Sequence, residues 1–232
     1  MTEIVQTSQA QSIQSVPEIF SHDSLPFNAT MGKWLERYWV WVASIPDSMS
    51  PREDTTGKNC GTNQNGPVWF LDPPVGMSKV KGPFPCEIPE GKAIFAPLLV
   101  GQCDKTVLTN PNPTDSEISE CAKKDNQPGN TDFAIDGKSV VVVKQFSRSE
   151  EQYRLYRTTS DFFDITWVEN NKLEAPPGTY RSQADGYTAI VKPLSLGEHN
   201  MTFNTHTYPP AQPVNINVLF KIKVVSNQSS VD

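Results

Sequence analysis

The chain has 232 residues, with 26 acidic against 20 basic side chains, a net charge of -6 and a hydrophobic fraction of 37%. No Lys/Arg block is present, which argues against a nucleic-acid-binding face, since such a face needs concentrated cations. No apolar run approaches the ~18 residues of a membrane-spanning segment. The 20 prolines and 13 glycines are scattered along the chain, a pattern of short strands and ordered turns.

Residues 1–28 are polar, Gln/Ser-rich and aperiodic, and read as a flexible arm or leader remnant. They lack the basic and apolar regions of a signal peptide. In ATMGKWLERYWVWVASIP, Trp34, Leu35, Tyr38, Trp39, Val42 and Ile45 recur at helical spacing, opposite Lys33, Glu36, Arg37 and Ser44. Thr30 is suited to cap this amphipathic helix, and Pro46 ends it. The stripe reads as core covering a face or end of a sheet. Trp41 lies off the stripe and is the candidate for a ligand surface.

Asp54-Thr55-Thr56-Gly57 and Asn63-Gln64-Asn65-Gly66 are turn chemistry. Val68-Trp69-Phe70-Leu71 and KAIFAPLLV read as buried strands, with Pro97 forcing a bulge or an edge position. PFPCEIPEGK between them reads as rigid loop. Thr114-Asp115-Ser116-Glu117 is a capping box opening a helix through Cys121 to about Lys124. RSEEQYRLYRT reads as a short helix or turn. TDFAIDG, KSVVVVKQF, DFFDITWVE, DGYTAIVKPL, EHNMTFNTH and VNINVLFKIKVV read as strands. Asp136-Gly137, Pro176-Pro177-Gly178, Asp185-Gly186 and Leu196-Gly197 are the turn signals between them. Ile216, Val218, Phe220, Ile222 and Val224 alternate with more polar neighbours, as in a strand wet on one face. The fold class is mainly β, an antiparallel Ig-like or jelly-roll-like sandwich with an N-terminal amphipathic helix and one short disulfide-tethered helix. Residues 29–226 form one domain, followed by a tail at 227–232.

Cys60, Cys86, Cys103 and Cys121 form no CxxC pair. Four thiols allow three pairings; joining neighbours, Cys60 with Cys86 and Cys103 with Cys121, is the simplest, and four buried reduced cysteines are the alternative. Bridges imply an exported chain, to which three glycosylation sequons, at Asn28, Asn200 and Asn227, add little.

WLERYWVWVASIP, DTTGKNCGTNQNGPVWFL, CEIPEGKAIFAPLLVGQCD, SECAKKD and PPGTY…DGYTAIVKPLSLGEHNMTF stand in that order. Over residues 30–225 this order resembles a family of uncharacterised secreted prokaryotic proteins, archaeal members among them, that usually follow a leader peptide. The resemblance implies export, disulfides and a β-sandwich, and no reaction.

No nucleophile elbow, HExxH, Walker loop or Rossmann fingerprint occurs. His22, His199 and His206 are dispersed; His199 with His206 and a carboxylate is the only histidine-based metal option. Asp161, Asp164 and Glu169 are the candidate acids of a glycan-active hydrolase, though solvated strand acids account for them better. No cofactor is implied beyond an option for Ca2+ on Asp54 with neighbouring loop carbonyls, Asp72 or Asn65. Arg148, Tyr153, Arg154, Tyr156 and Arg157 cluster in sequence and could hold an anionic glycan, although a solvated turn whose tyrosines pack inward accounts for them better; Trp41, Tyr153, Arg154 and Arg157 are the candidate ligand surface. The expectation is a non-enzymatic exported or cell-surface module, partnered by glycan or envelope components. Self-association through edge strands, as in a particle or filament subunit, is the further alternative.

Overall fold

A computed structural model describes residues 19–74, 81–124, 128–144, 157–207 and 215–226. The fold is mainly β, with two sheets and an apolar helix stacked as three layers. The first sheet runs β1 (Val68–Phe70), β3 (Ala93–Asp104), β8 (Gly178–Val191). Along the far side of β8 lie both β6 (Arg157–Thr159) and β7 (Phe163–Trp167). The second sheet runs β2 (Lys81–Pro89), β10 (Asn215–Val225), β9 (Gly197–Thr207), β4 (Pro128–Ile135), β5 (Lys138–Lys144).

Both sheets are mixed, which corrects the purely antiparallel expectation. β1 pairs parallel to β3, and β2 pairs parallel to β10. Residue alternation reports which face of a strand is buried and carries no information on strand direction.

One core lies between the sheets. Ile94, Ala96 and Leu98 of β3 and Tyr187, Ala189 and Val191 of β8 meet Phe133, Met201, Phe203, Phe220 and Ile222 of the second sheet there. The other face of the first sheet is covered by α1 (Met31–Ala43), which buries Trp34, Leu35, Tyr38, Trp39, Trp41 and Val42. These pack on Phe70, Phe95, Ile165, Trp167 and Ile190. The first sheet is therefore apolar on both faces, and β3 reads as a nearly unbroken buried run. In the second sheet β10 alternates buried positions with half-buried or exposed ones.

Local chemistry accounts for the helices. The Thr30 side chain accepts a hydrogen bond from the Lys33 amide at 3.1 Å, a cap worth about 1 kcal/mol. Gly32 permits close approach, since a Cβ there would sit 2.6 Å from the Thr159 carbonyl of β6. α2 (Asp115–Lys124) opens on the reciprocal box: the Glu117 amide donates to Thr114 Oγ1 at 3.3 Å, and the Thr114 amide donates to Glu117 Oε2 at 2.7 Å. Hydrogen bonds to its carboxylate, from the Thr114 amide first and then from the Asn110 and Thr114 side chains, hold the Glu117 carboxyl below its usual range.

Two disulfides are formed, Cys60–Cys86 and Cys103–Cys121, with Cα separations of 5.4 and 5.8 Å. The second fixes α2, whose Ile118 and Ala122 pack with Cys103 in a small core of their own. At the outer end of α2, Asp115 receives two 2.8 Å hydrogen bonds from Arg181 of β8.

Three segments depart from the sequence reading. PFPCEIP is strand, not loop: β2 is an edge strand, where prolines 83, 85 and 89 are tolerated because one side of the strand needs no partner. Asp185-Gly186 is no turn but lies mid-strand in β8, buried; its carboxylate is held by Arg157 and Thr159, and Gly186 lets the Leu99–Val100 backbone pack against it. Residues 19–28 lie on the domain: the Phe20 amide donates to the Ile190 carbonyl at 2.8 Å, and Trp34 Nε1 donates to the Pro26 carbonyl at 2.9 Å. The remainder of the expected arm (1–18) and the tail (227–232) are outside the described residues. Pro97 is accommodated by a register shift in β3.

Candidate functional site

A concavity runs along α1 where the 61–67 loop rises beside it. It has a volume of about 640 Å3 and is lined by Trp34, Arg37, Val40, Trp41, Ser44, Asn63, Asn65, Gly66, Pro67 and Phe70. That volume falls within the ~300–1,000 Å3 of small-ligand clefts.

The floor is aromatic. Trp41 and Phe70 lie 5.5 Å apart, and Tyr38 stacks on Phe95 at 5.3 Å beneath them. Such pairs contribute roughly 0.5–1.5 kcal/mol each beyond area burial. Trp41 is only 5% exposed, and its Nε1 donates to the Thr62 carbonyl at 3.0 Å. It is thus a wall of the groove fixed by packing, not a free stacking platform. Val40, 40% exposed, supplies apolar surface at the mouth.

The loop is built by its amides. Gln64 clasps Phe70, its Nε2 donating to the Phe70 carbonyl at 2.7 Å while its Oε1 accepts from the Phe70 amide at 3.0 Å. Gly66 takes the left-handed conformation, φ +71°, that L-residues avoid. Lys92 Nζ donates to the Gly66 carbonyl at 2.5 Å. Asn63 and Asn65 remain exposed, with side-chain contacts of only 3.4 to 3.5 Å.

Arg37 stands at the rim. Its guanidinium lies 4.4 Å from the Trp34 ring centroid, an arrangement that orients the fork. Neighbouring Glu36 is engaged by Lys33 at 2.6 Å. No carboxylate among the described residues pairs with Arg37, and none lines the groove.

Beneath this region lies a buried polar knot. Arg52 donates from Nε to Asp72 Oδ2 at 2.9 Å and from a terminal nitrogen to Oδ1 at 2.6 Å, and the Tyr38 hydroxyl donates to Oδ1 at 2.9 Å. Burial, then the Asp72 charge, pushes the Tyr38 hydroxyl well above its usual range. Asp72, a candidate Ca2+ ligand, therefore spends both oxygens on this knot. Asp54, the other, closes its own turn, accepting from the Thr56 amide at 2.9 Å, the Thr56 hydroxyl at 2.6 Å and the Asn59 amide at 2.7 Å. Burial works against its ionised form, yet these hydrogen bonds outweigh burial and leave the Asp54 carboxyl below its usual range. Asp54 and Asp72 both line one small pocket beside Cys60 and Cys86, each with its carboxylate already engaged by protein donors. Among the described residues no group of three His, Cys, Asp or Glu side chains converges.

The other predicted residues are scattered. Arg157 pairs with fully buried Asp185 at 2.9 Å, and Thr159 adds a 2.6 Å hydrogen bond, so that guanidinium is committed to β8. Arg148, Tyr153, Arg154 and Tyr156 lie outside the described residues, so the rest of that cluster is not placed. Asp161, Asp164 and Glu169 are all exposed, with Asp164 opposite Arg181 across the β7–β8 ladder.

The histidines also stand apart. His22 meets the Thr158 hydroxyl at 3.1 Å, and His206 meets Asn215 Oδ1 at 2.6 Å. His199 sits between Asp136 Oδ2, 2.8 Å from Nδ1, and the Ser195 carbonyl, 3.0 Å from Nε2. The Ser195 hydroxyl is farther off, 3.4 Å from the same Nε2.

Sequence reasoning missed Arg37, Asn63 and Val40 as groove residues. Their polar and apolar roles were visible singly; what joins them is the docking of the 61–67 loop on α1, through Trp41 to Thr62 and Asn63 to Ser44. Comparison with protein-family models, curated proteins and solved structures finds no match to this chain.

Proposed function

We propose that the chain is a non-enzymatic, exported or cell-surface module of a β-sandwich type, Ig-like or jelly-roll-like, with a binding or envelope-structural role, acting through the groove beside α1. The carrying observation is the composition of that groove: an apolar floor from Trp34, Trp41 and Phe70 under a rim of amides and one guanidinium. Saccharides suit such a surface, because their C–H faces pack on apolar walls while their hydroxyls exchange hydrogen bonds with amides. A hydrolase would need two carboxyls roughly 5 to 9 Å apart across the cleft, and the groove lining holds none. Export is supported by the two disulfides, which persist in oxidising compartments. The resemblance to secreted prokaryotic proteins points the same way. No helix among the described residues is long and apolar enough to cross a membrane.

The test is an oligosaccharide array followed by heteronuclear NMR of the labelled protein with any hit. The reading expects shifts at the Trp41 indole N–H and the amides of residues 63–66, with the saccharide intact afterwards. Shifts confined to another face, or release of new reducing ends, would overturn it.

A further inference from the structure

We propose, resting on that reading, that the ligand of the groove is an acidic saccharide whose hexuronate carboxylate is taken by Arg37. The chain as a whole is acidic, 26 Asp and Glu against 20 Lys and Arg, yet the groove is lined by one arginine and no acid. The Lys92 ammonium, bound to the Gly66 carbonyl, adds a second positive charge at the rim. The charged side chain lining the groove is thus opposite in sign to the net charge of the chain, which favours an anion.

Arg37 is also free and aimed. It is exposed on α1, no carboxylate among the described residues pairs with it, and the adjacent Glu36 is committed to Lys33. With one face of the guanidinium on Trp34 at 4.4 Å, its N–H edge stays available for the two parallel hydrogen bonds that a planar carboxylate accepts. An amide pair, Asn63 and Asn65, stands on the opposite wall with only long contacts to give up. Val40, 40% exposed, with the edges of the packed Trp41–Phe70 floor beneath it, provides the apolar surface that a pyranose C–H face would meet. A small carboxylate alone would leave that floor unused; a carboxylate carried on a sugar ring engages the whole lining.

Calorimetric titration of the intact protein with tetragalacturonate, tetramannuronate, the fully methyl-esterified tetragalacturonate and hexaglutamate peptide tests this. Binding of at least one uronate is expected. It should weaken about 10- to 100-fold in Arg37→Gln, the loss of one charge-assisted bidentate pair, and to a similar degree on esterification. Arg37 is exposed, so the melting temperature of Arg37→Gln should match the parent. Equal binding of acid and ester, or equal binding by Arg37→Gln, overturns the proposal. So does tighter binding of the peptide than of either uronate. If neutral oligosaccharides shift the Trp41 indole while uronates do not, the acidic ligand falls and the groove reading stands. If no saccharide perturbs the groove, both fall.

Discussion

Replacing Arg52 by methionine should destabilise the protein far more than loss of a surface charge would. Arg52 and Asp72 are 13% and 3% exposed as side chains, and they are joined by two hydrogen bonds of 2.9 and 2.6 Å. Methionine fills much of the arginine stem and leaves the Asp72 carboxylate buried with the Tyr38 hydroxyl as its remaining partner in the knot. Breaking one side of a buried pair costs about 3–5 kcal/mol, because the remaining charge stays desolvated. That is a large share of the roughly 5–15 kcal/mol by which domains are stable. Urea denaturation followed by tryptophan fluorescence, with bridges intact, gives the number. The double variant Arg52→Met/Asp72→Leu should recover part of the loss, since no charge is left stranded, while the Tyr38 hydroxyl gives up its acceptor. A loss below about 1 kcal/mol in Arg52→Met, the range of exposed pairs, would refute the reasoning. So would a double variant no better than the single.

Two further outcomes are expected. Because the folded state holds the Tyr38 proton well above the usual range, the unfolded chain deprotonates first, at about pH 10. The native state then binds more protons than the unfolded one, so stability falls as pH rises above that point, by about 1.4 kcal/mol per pH unit for this one group. Tyr38→Phe should be less stable at pH 8 but lose that part of the slope, which denaturation at pH 9.5 to 11.5 would show; an unchanged slope would count against it. Gly32→Ala would ordinarily stabilise a helix by about 1 kcal/mol, yet here the new methyl meets the Thr159 carbonyl at 2.6 Å. A net destabilisation of about 1–3 kcal/mol is expected, and a raised melting temperature would contradict the close approach of α1 to β6.

Legibility in the sequence followed the range of the interactions. The stripe from Trp34 to Val42 and the Thr114–Glu117 box are local signals, and the structure buries the one and forms the other. The alternation of β10 likewise reports its one wet face. Strand direction and sheet order depend on contacts far apart in sequence, so the parallel seating of β2 on β10 left no local trace. Asp185-Gly186 carried turn chemistry that tertiary partners overrode. At the site, Trp41 was legible as an outlier of the helical stripe, but not its coupling to the 61–67 loop. Arg52 and Asp72, 20 residues apart in sequence, gave no sign of meeting.

The position of β10 within the second sheet bears on how the molecule is made. Residues 215–225 are flanked on one side by β2 and on the other by β9, so they form the joint that unites the two parts of that sheet. During synthesis both flanking strands leave the ribosome earlier and must wait with unsatisfied ladder groups until the joint arrives. Closure spans well over half the chain, which places it among the slower kinds of folding step.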